Sequence, residues 1–320
     1  MIFISFLFEA VRAGMTFLFG STGETITEKS GHLNLGIPGI MCVGAASGCM
    51  MEAVYANSVG GIENVNGFLA VFLPILASFF GASILGFIFA FMTVTLRANQ
   101  NVTGLALTTL GIGIANFMIQ KVDISAYSQA SKYFTAALPF ASKLGWFGKL
   151  FLSYGVMIYL AIVIAVITSY VLSKTRVGLH LRAVGENPAT ADAAGINVTA
   201  YRYGATLIGS GIAGLGGLCY TMDKLNGNWE YVIDKLGWLA IALVIFTVWK
   251  PNLGIIGSII FGALYNASSY ITGVSTTNKA LIRMLPYVVT IIVLITTSIR
   301  NKRENQPPAG LGINYYREER

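Results

Sequence analysis

Charge is what this sequence has least of. Only 11% of its 320 residues are Asp, Glu, Lys or Arg, against roughly 25% in an ordinary soluble domain. The chain therefore has too little polar surface to coat a water-soluble body, and a soluble enzyme and a disordered or collagenous chain are both excluded. There are two histidines, His32 and His180, and neither stands in a metal-ligand spacing such as HExxH. The three cysteines, Cys42, Cys49 and Cys219, lie in or beside apolar stretches with no CxxC spacing. That argues against a disulfide framework or metal site and for small apolar packing residues. What remains is 55% hydrophobic. At roughly 20 residues per bilayer crossing, the length allows about 8–10 transmembrane helices with short connections. The fold class is all-α, a polytopic membrane protein.

Charge-free runs mark the crossings: Asn64 to Leu96, Ala98 to Gln120, Gly155 to Ser173, Tyr203 to Met222 and Pro251 to Asn278. Most are rich in Gly, Ala and Ser, which let helix backbones approach closely. Leu236–Trp249 and Leu285–Ile299 are shorter but equally apolar. The first is marginal for a full span, so it either borrows length from the preceding loop or is partly re-entrant. In the N-terminal third, one helix covers Met1–Thr22 with Glu9 and Arg12 paired near one end. Alternatively, Met1–Glu9 lies on the surface and the helix runs from about Val11 to Ser30. The start imitates a signal peptide but lacks a basic n-region and reads as retained. Gly31 to Gly39, GHLNLGIPG, interrupts any helix with three glycines and Pro38, and an apolar helix resumes over Ile40–Tyr55. Such a broken N-terminal helix has to be buried in protein or line a watery cavity.

Lys and Arg set the orientation. Ser173–Tyr203 holds Lys174, Arg176, Arg182 and Arg202, and the tail after Ile299 holds Arg300, Lys302, Arg303, Arg317 and Arg320. An even number of crossings separates the two segments, so both lie on one face, and their basic content makes it cytoplasmic. Lys121–Leu150, assigned outside, disagrees with Lys121, Lys132, Lys143 and Lys149; parity outweighs it, because two basic segments agree independently. The chain thus divides into one transmembrane domain over 1–300, a cytoplasmic loop over 173–203 within it, and a basic cytoplasmic tail over 301–320.

NLGIPGIMCVGA (Asn34–Ala45) aligns without gaps with NLGIIGSIIFGA (Asn252–Ala263). The two are either repeated helical units flanking a substrate path, with Asn34 and Asn252 as equivalent caps, or converged Gly-rich helix starts. GETITEKS, Gly23 to Ser30, echoes a phosphate-binding loop, but Glu28 stands where the second glycine belongs and no βαβ unit surrounds it. The chain is not expected to bind ATP itself. Glu24 and Glu28 share a face at i, i+4 if that stretch is helical. They read as a solvated or interfacial helix end, with a proton relay as the alternative. Neither this pair nor Asp223 and Asp234 forms a metal or phosphate pattern that a membrane transferase would need.

The cytoplasmic loop carries the most information. Asn187-Pro188 is a helix start, since Asn caps the first free N–H groups and Pro suits the first turn. ATADAA continues it, and Gly195 is a left-handed stop. The result is a helix of about two turns, too short to stand alone and too polar to cross lipid. It is either a connecting turn or an element shaped to dock into a groove on another protein.

GLHLRAVGENPATADAAGINV, followed by GSGIAGLGG, resembles the ATPase-coupling loop of bacterial ABC importer permeases of the branched-chain amino acid, ribose and nucleoside branch. EKSGHLNLGIPGIMCVGA resembles the N-terminal signature of the nucleoside and simple-sugar permeases within it. The similarity spans about Val11 to Ile299; in that family the Pro38 position is often Glu, and this sequence departs there. The resemblance implies a permease domain over 1–300 whose coupling helix includes Gly185, Glu186, Asn187, Pro188, Asp192 and Gly195. It implies a paralogous permease, a separate ATPase that binds ATP and Mg, and an extracytoplasmic substrate-binding lipoprotein, with no cofactor in this chain and no nucleic-acid partner. The expected function is the multi-pass permease subunit of an importer in the bacterial cell membrane. Nucleoside is the first cargo class, ahead of riboflavin-like compound, sugar and branched amino acid. The rival class is an ion-coupled secondary transporter. For the substrate path, Asn34, Thr103, Asn116 and Trp238 are polar or aromatic groups on apolar segments. They suit hydrogen bonding or stacking of a nucleobase-like solute, or else serve as inter-helix glue.

Overall fold

Helix α1 runs without interruption over Ile2–Lys29, longer than either sequence reading allowed. Its charges do not stop it because they are neutralised inside the protein. Arg12 Nη1 lies 3.0 Å from Glu9 Oε1, Arg12 Nε lies 2.8 Å from Asp223 Oδ1, and Lys224 pairs with Glu9. Intramembrane ions persist when they face the bundle interior and pair with one another. These contacts come from a computed structural model, which describes residues 2–137, 145, 148, 151–271, 275–300 and 306–316. Lys143, Lys149, Lys302, Arg303, Arg317 and Arg320 lie outside the described residues.

The break after α1 occupies residues 30–36 and is almost wholly buried, as its unpaired backbone requires. Helix α2, Ile37–Ser58, carries Pro38 in its first turn, where a missing N–H is harmless. Pro38 therefore begins this helix instead of ending one. The N-cap of α2 is Gly36, and that of the second repeat helix is Lys250, so Asn34 and Asn252 are not equivalent caps.

The remaining helices are α3 (Leu69–Ala90, prolonged by a wider turn over Phe91–Thr95), α4 (Gln100–Gln120), α5 (Val156–Lys174), α6 (Arg176–Glu186), α7 (Pro188–Ala193), α8 (Val198–Cys219, prolonged over Tyr220–Lys224), α9 (Ile233–Phe246), α10 (Pro251–Tyr270), α11 (Thr276–Arg283) and α12 (Leu285–Arg300). Seven of the described helices are long and apolar enough to cross a membrane. With the shorter apolar α9 and α12, the described residues fall within the expected range. Helix α9 has only 14 residues, Ile233–Phe246; it takes Ile233, Asp234 and Lys235 from the loop before it and stops three residues short of Trp249. It ends where Val248 and Trp249 both adopt positive φ, 54° and 55°, a tight reversal into Pro251.

Helix α8 is the centre of the bundle, with 89% of its crossing window buried, against 33% for α3, α4 and α5. It gets there through glycine. A Cβ on Gly44 of α2 would collide with the backbone of Gly214 of α8, and one on Gly217 of α8 with the carbonyl of Met41. Apolar attraction between helices is weak in lipid, so close backbone approach supplies the dispersion contact that holds them.

The loop carrying α6 and α7 lies at the same end of the molecule as the tail, because Gly310 N–H donates to Gly185 O at 2.9 Å. Parity placed them together, and the structure does too.

Candidate coupling and translocation site

Two helices, not one, form the loop. Thr175 Oγ1 caps α6 by accepting from Gly178 N–H at 3.2 Å. Asn187 Oδ1 then caps α7 by accepting from Thr190 N–H at 3.0 Å, with Pro188 at its first position and Gly195 turning the chain at φ +84°. Ala191 is buried beside Val184, Val198 and Tyr315, while Ala189, Thr190 and Ala193 are exposed. One face of α7 is thus seated and the other is presented outward. The six loop residues singled out from the sequence occupy this hairpin together.

Each has a definable environment. Gly185 is pressed against the end of α1, where a Cβ would collide with Lys29 O. Glu186 is exposed and accepts from Ala309 N–H at 3.3 Å. Asp192 accepts from the Tyr315 hydroxyl at 2.7 Å. Arg202, counted from the sequence among the loop's basic residues, is 2% exposed and donates from Nη2 to Ile313 O at 3.2 Å. A cavity of 370 Å³ opens here, lined by Asp192, Gly195, Arg202 and Tyr315 among others.

Behind the loop lies a polar cluster around the α1–α2 break. The sequence reading made Glu24 and Glu28 a solvated or interfacial helix end. The structure overturns this, for Glu24 is 0% and Glu28 2% exposed. The cause is the fold-back of the break. Asn34 N–H donates to Glu24 Oε1 at 3.0 Å, and Trp249, swung in by the α9–α10 reversal, donates its indole N–H to Glu28 Oε2. His32 is fully buried, its Nδ1 3.3 Å from Thr206 Oγ1. Burial first, and then the charge of Arg202, push the His32 imidazole well below its usual pKa, so it is neutral.

Three of the four candidate path residues gather near this break. Asn34 is buried, its Oδ1 accepting from Gly36 N–H at 2.9 Å, and its Nδ2 has no hydrogen-bond partner among the described residues. Thr103 precedes Gly104 on the stretch of α4 that packs on the break: a Cβ on Gly104 would meet Leu35 N at 2.8 Å, and the Thr108 hydroxyl donates to Leu35 O at 2.8 Å. Half-buried Trp238 follows Gly237, which packs on Pro38. Asn116 stands apart, about 20 Å further along α4 by helical rise. The sequence reading also missed Glu52 of α2, which is fully buried with both carboxyl oxygens unpartnered among the described residues. Its signal was available as a lone acid inside an apolar run.

Four likenesses bear on this arrangement. The family model described as branched-chain amino acid transport system / permease component matches residues 6–294. The nucleoside ABC transporter permease protein NupC of Lactococcus lactis subsp. cremoris is 34% identical, with 87% of each chain covered. The guanosine ABC transporter permease protein NupQ of Bacillus subtilis is 29% identical, with 85% of each covered. In three dimensions, a chain from a metal-chelate type ABC transporter in an inward-facing conformation superposes with a TM-score of 0.51. It has 12% identity and covers 90% of this chain and 85% of that one, which is a likeness of fold.

Proposed function

The chain belongs to the branched-chain amino acid transport system / permease component family, and on that premise we propose that it is the nucleoside-passing permease subunit of an ATP-driven importer. In this reading it binds no ATP. ATP and Mg are held by a separate ATPase, a paralogous permease completes the path, and an extracytoplasmic lipoprotein delivers the solute. The loop and tail face the cytoplasm of a bacterial cell, and the protein is a multi-pass component of its plasma membrane. Relatives named for nucleosides and guanosine support the cargo.

The observation that carries the reading is helix α7. It is capped by Asn187 and turned at Gly195, it presents one face outward, and through Gly185 its hairpin bears directly on the end of α1. ATP binding in the partner displaces α7. The displacement passes to the break that carries Asn34, and the cavity switches its opening. The path binds solute weakly, because a tight site would trap it.

The test is uptake of labelled nucleosides into proteoliposomes that contain this chain, the ATPase, the second permease and the lipoprotein. Uptake that depends on ATP and on all four components is expected. The buried pair Glu24 and Glu28 favours a second reading, an ion-coupled secondary transporter. Uptake driven by a proton gradient with no ATPase present would decide for it.

A further inference from the structure

Residues 308–316 cross the loop end of the molecule as a strap, and they make no core of their own. Ala309 N–H donates to Glu186 Oε2 at 3.3 Å and Gly310 N–H to Gly185 O at 2.9 Å, at the end of α6. Gly312 N–H donates to Gly31 O at 3.1 Å, in the α1–α2 break. Ile313 O accepts from buried Arg202 of α8. Asn314 donates to Arg97 O at 2.7 Å and Ala98 O at 3.2 Å, in the α3–α4 turn, and its Oδ1 accepts from Gln100 Nε2 at 3.1 Å. The same Gln100 side chain accepts from Leu33 N–H at 2.8 Å, inside the break. Finally, the Tyr315 hydroxyl donates to Asp192 of α7 at 2.7 Å, and its ring packs with Val184, Ala191 and Val198.

One short segment thus holds α7 at one end and reaches the break by two separate routes, through Gly312–Gly31 and through Asn314–Gln100–Leu33. Gly185 also touches Lys29 O and Gly31 directly, and Leu181 of α6 shares an apolar cluster with Ile26 of α1, so the strap adds directional hydrogen bonds to a packed contact between loop and α1.

We propose that residues 308–316 are a coupling strap that makes α7 and the α1–α2 break move as one body, with Tyr315 and Asn314 as its positioning residues. This rests on the importer reading and names the part of the chain that carries the stroke from α7 to the break.

The experiment uses the complete reconstituted complex and reads solute imported per ATP hydrolysed. The double variant Asn314→Ala/Tyr315→Phe should assemble with the ATPase and hydrolyse ATP within about twofold of wild type. Its solute imported per ATP should fall at least tenfold. Deleting residues 307–320 should do the same; where the deletion does not fold, the double variant stands alone. An unchanged ratio in an assembled complex overturns the proposal. So does loss of assembly in the double variant, because the strap would then be part of the docking surface and not a transmitter. Wild-type protein that accumulates solute without the ATPase sinks the importer reading itself, in a separate arm of the same assay.

Discussion

His32 shows how much one buried residue can reveal. Its imidazole sits beside Thr206 and edge-on to Phe89, with Arg202 close by. Its folded pKa is depressed well below the ordinary 6.5. The unfolded chain therefore binds a proton below about pH 6.5 that the folded one refuses. His32 costs no stability above that pH, and stability is lost as pH falls below it, by up to roughly 1.4 kcal/mol per unit. Thermal unfolding in detergent should show a lower midpoint at pH 5.5 than at pH 7.5. The gap should narrow in His32→Asn, whatever that variant costs at neutral pH. Equal gaps in the two proteins would contradict a buried neutral His32. At the same scale, Gly185 explains why a loop residue can be intolerant of change, since any side chain would enter the space held by Lys29 O.

Helix α7 has six residues, and a helix of that length does not persist in water unaided. Three contacts hold it: the Asn187 cap, the seating of Ala191 against Val184 and Val198, and the hydroxyl of Tyr315. The cap is worth about 1 kcal/mol. Replacing Asn187 by Ala should therefore loosen α7 without unfolding the protein. Hydrogen exchange of the amides from Ala189 to Ala194 should quicken about fivefold, the melting midpoint should stay within a few degrees, and ATP-coupled uptake should drop. Asn187→Ser, which restores a capping oxygen, should recover most of it. Exchange that is as slow in the Ala variant as in wild type would show that packing alone holds the helix.

Across the whole molecule, the two ends are tied differently. The loop end is joined by the strap and by backbone contacts. The opposite end is joined by ions, with Arg12 and Glu9 of α1 meeting Asp223 and Lys224 at the extension of α8. Asp223 is 1% exposed at its side chain and Arg12 13%, so removing one partner strands the other charge. Arg12→Met should lower stability by about 3–5 kcal/mol, seen as a lower melting midpoint in detergent, and the double change Arg12→Met/Asp223→Leu should recover part of it. A single variant as stable as wild type would mean that the clamp does not hold α1 to α8.

The sequence by itself was enough for the class, the order of most crossings, the shared side of loop and tail, and the capped helix at Asn187. Each of these depends on local composition: a charge-free run has only one solvent that suits it, and Asn-Pro before a short alanine stretch has few other uses. Only the tertiary structure decided that Glu24, Glu28 and Arg202 are buried, that Pro38 begins a helix, that Asn116 stands apart from the other candidates, and that residues 308–316 bind the loop to the break. Those outcomes depend on which distant segments arrive beside a residue. Trp249 reaches Glu28 across most of the chain, and no spacing within either neighbourhood records that meeting.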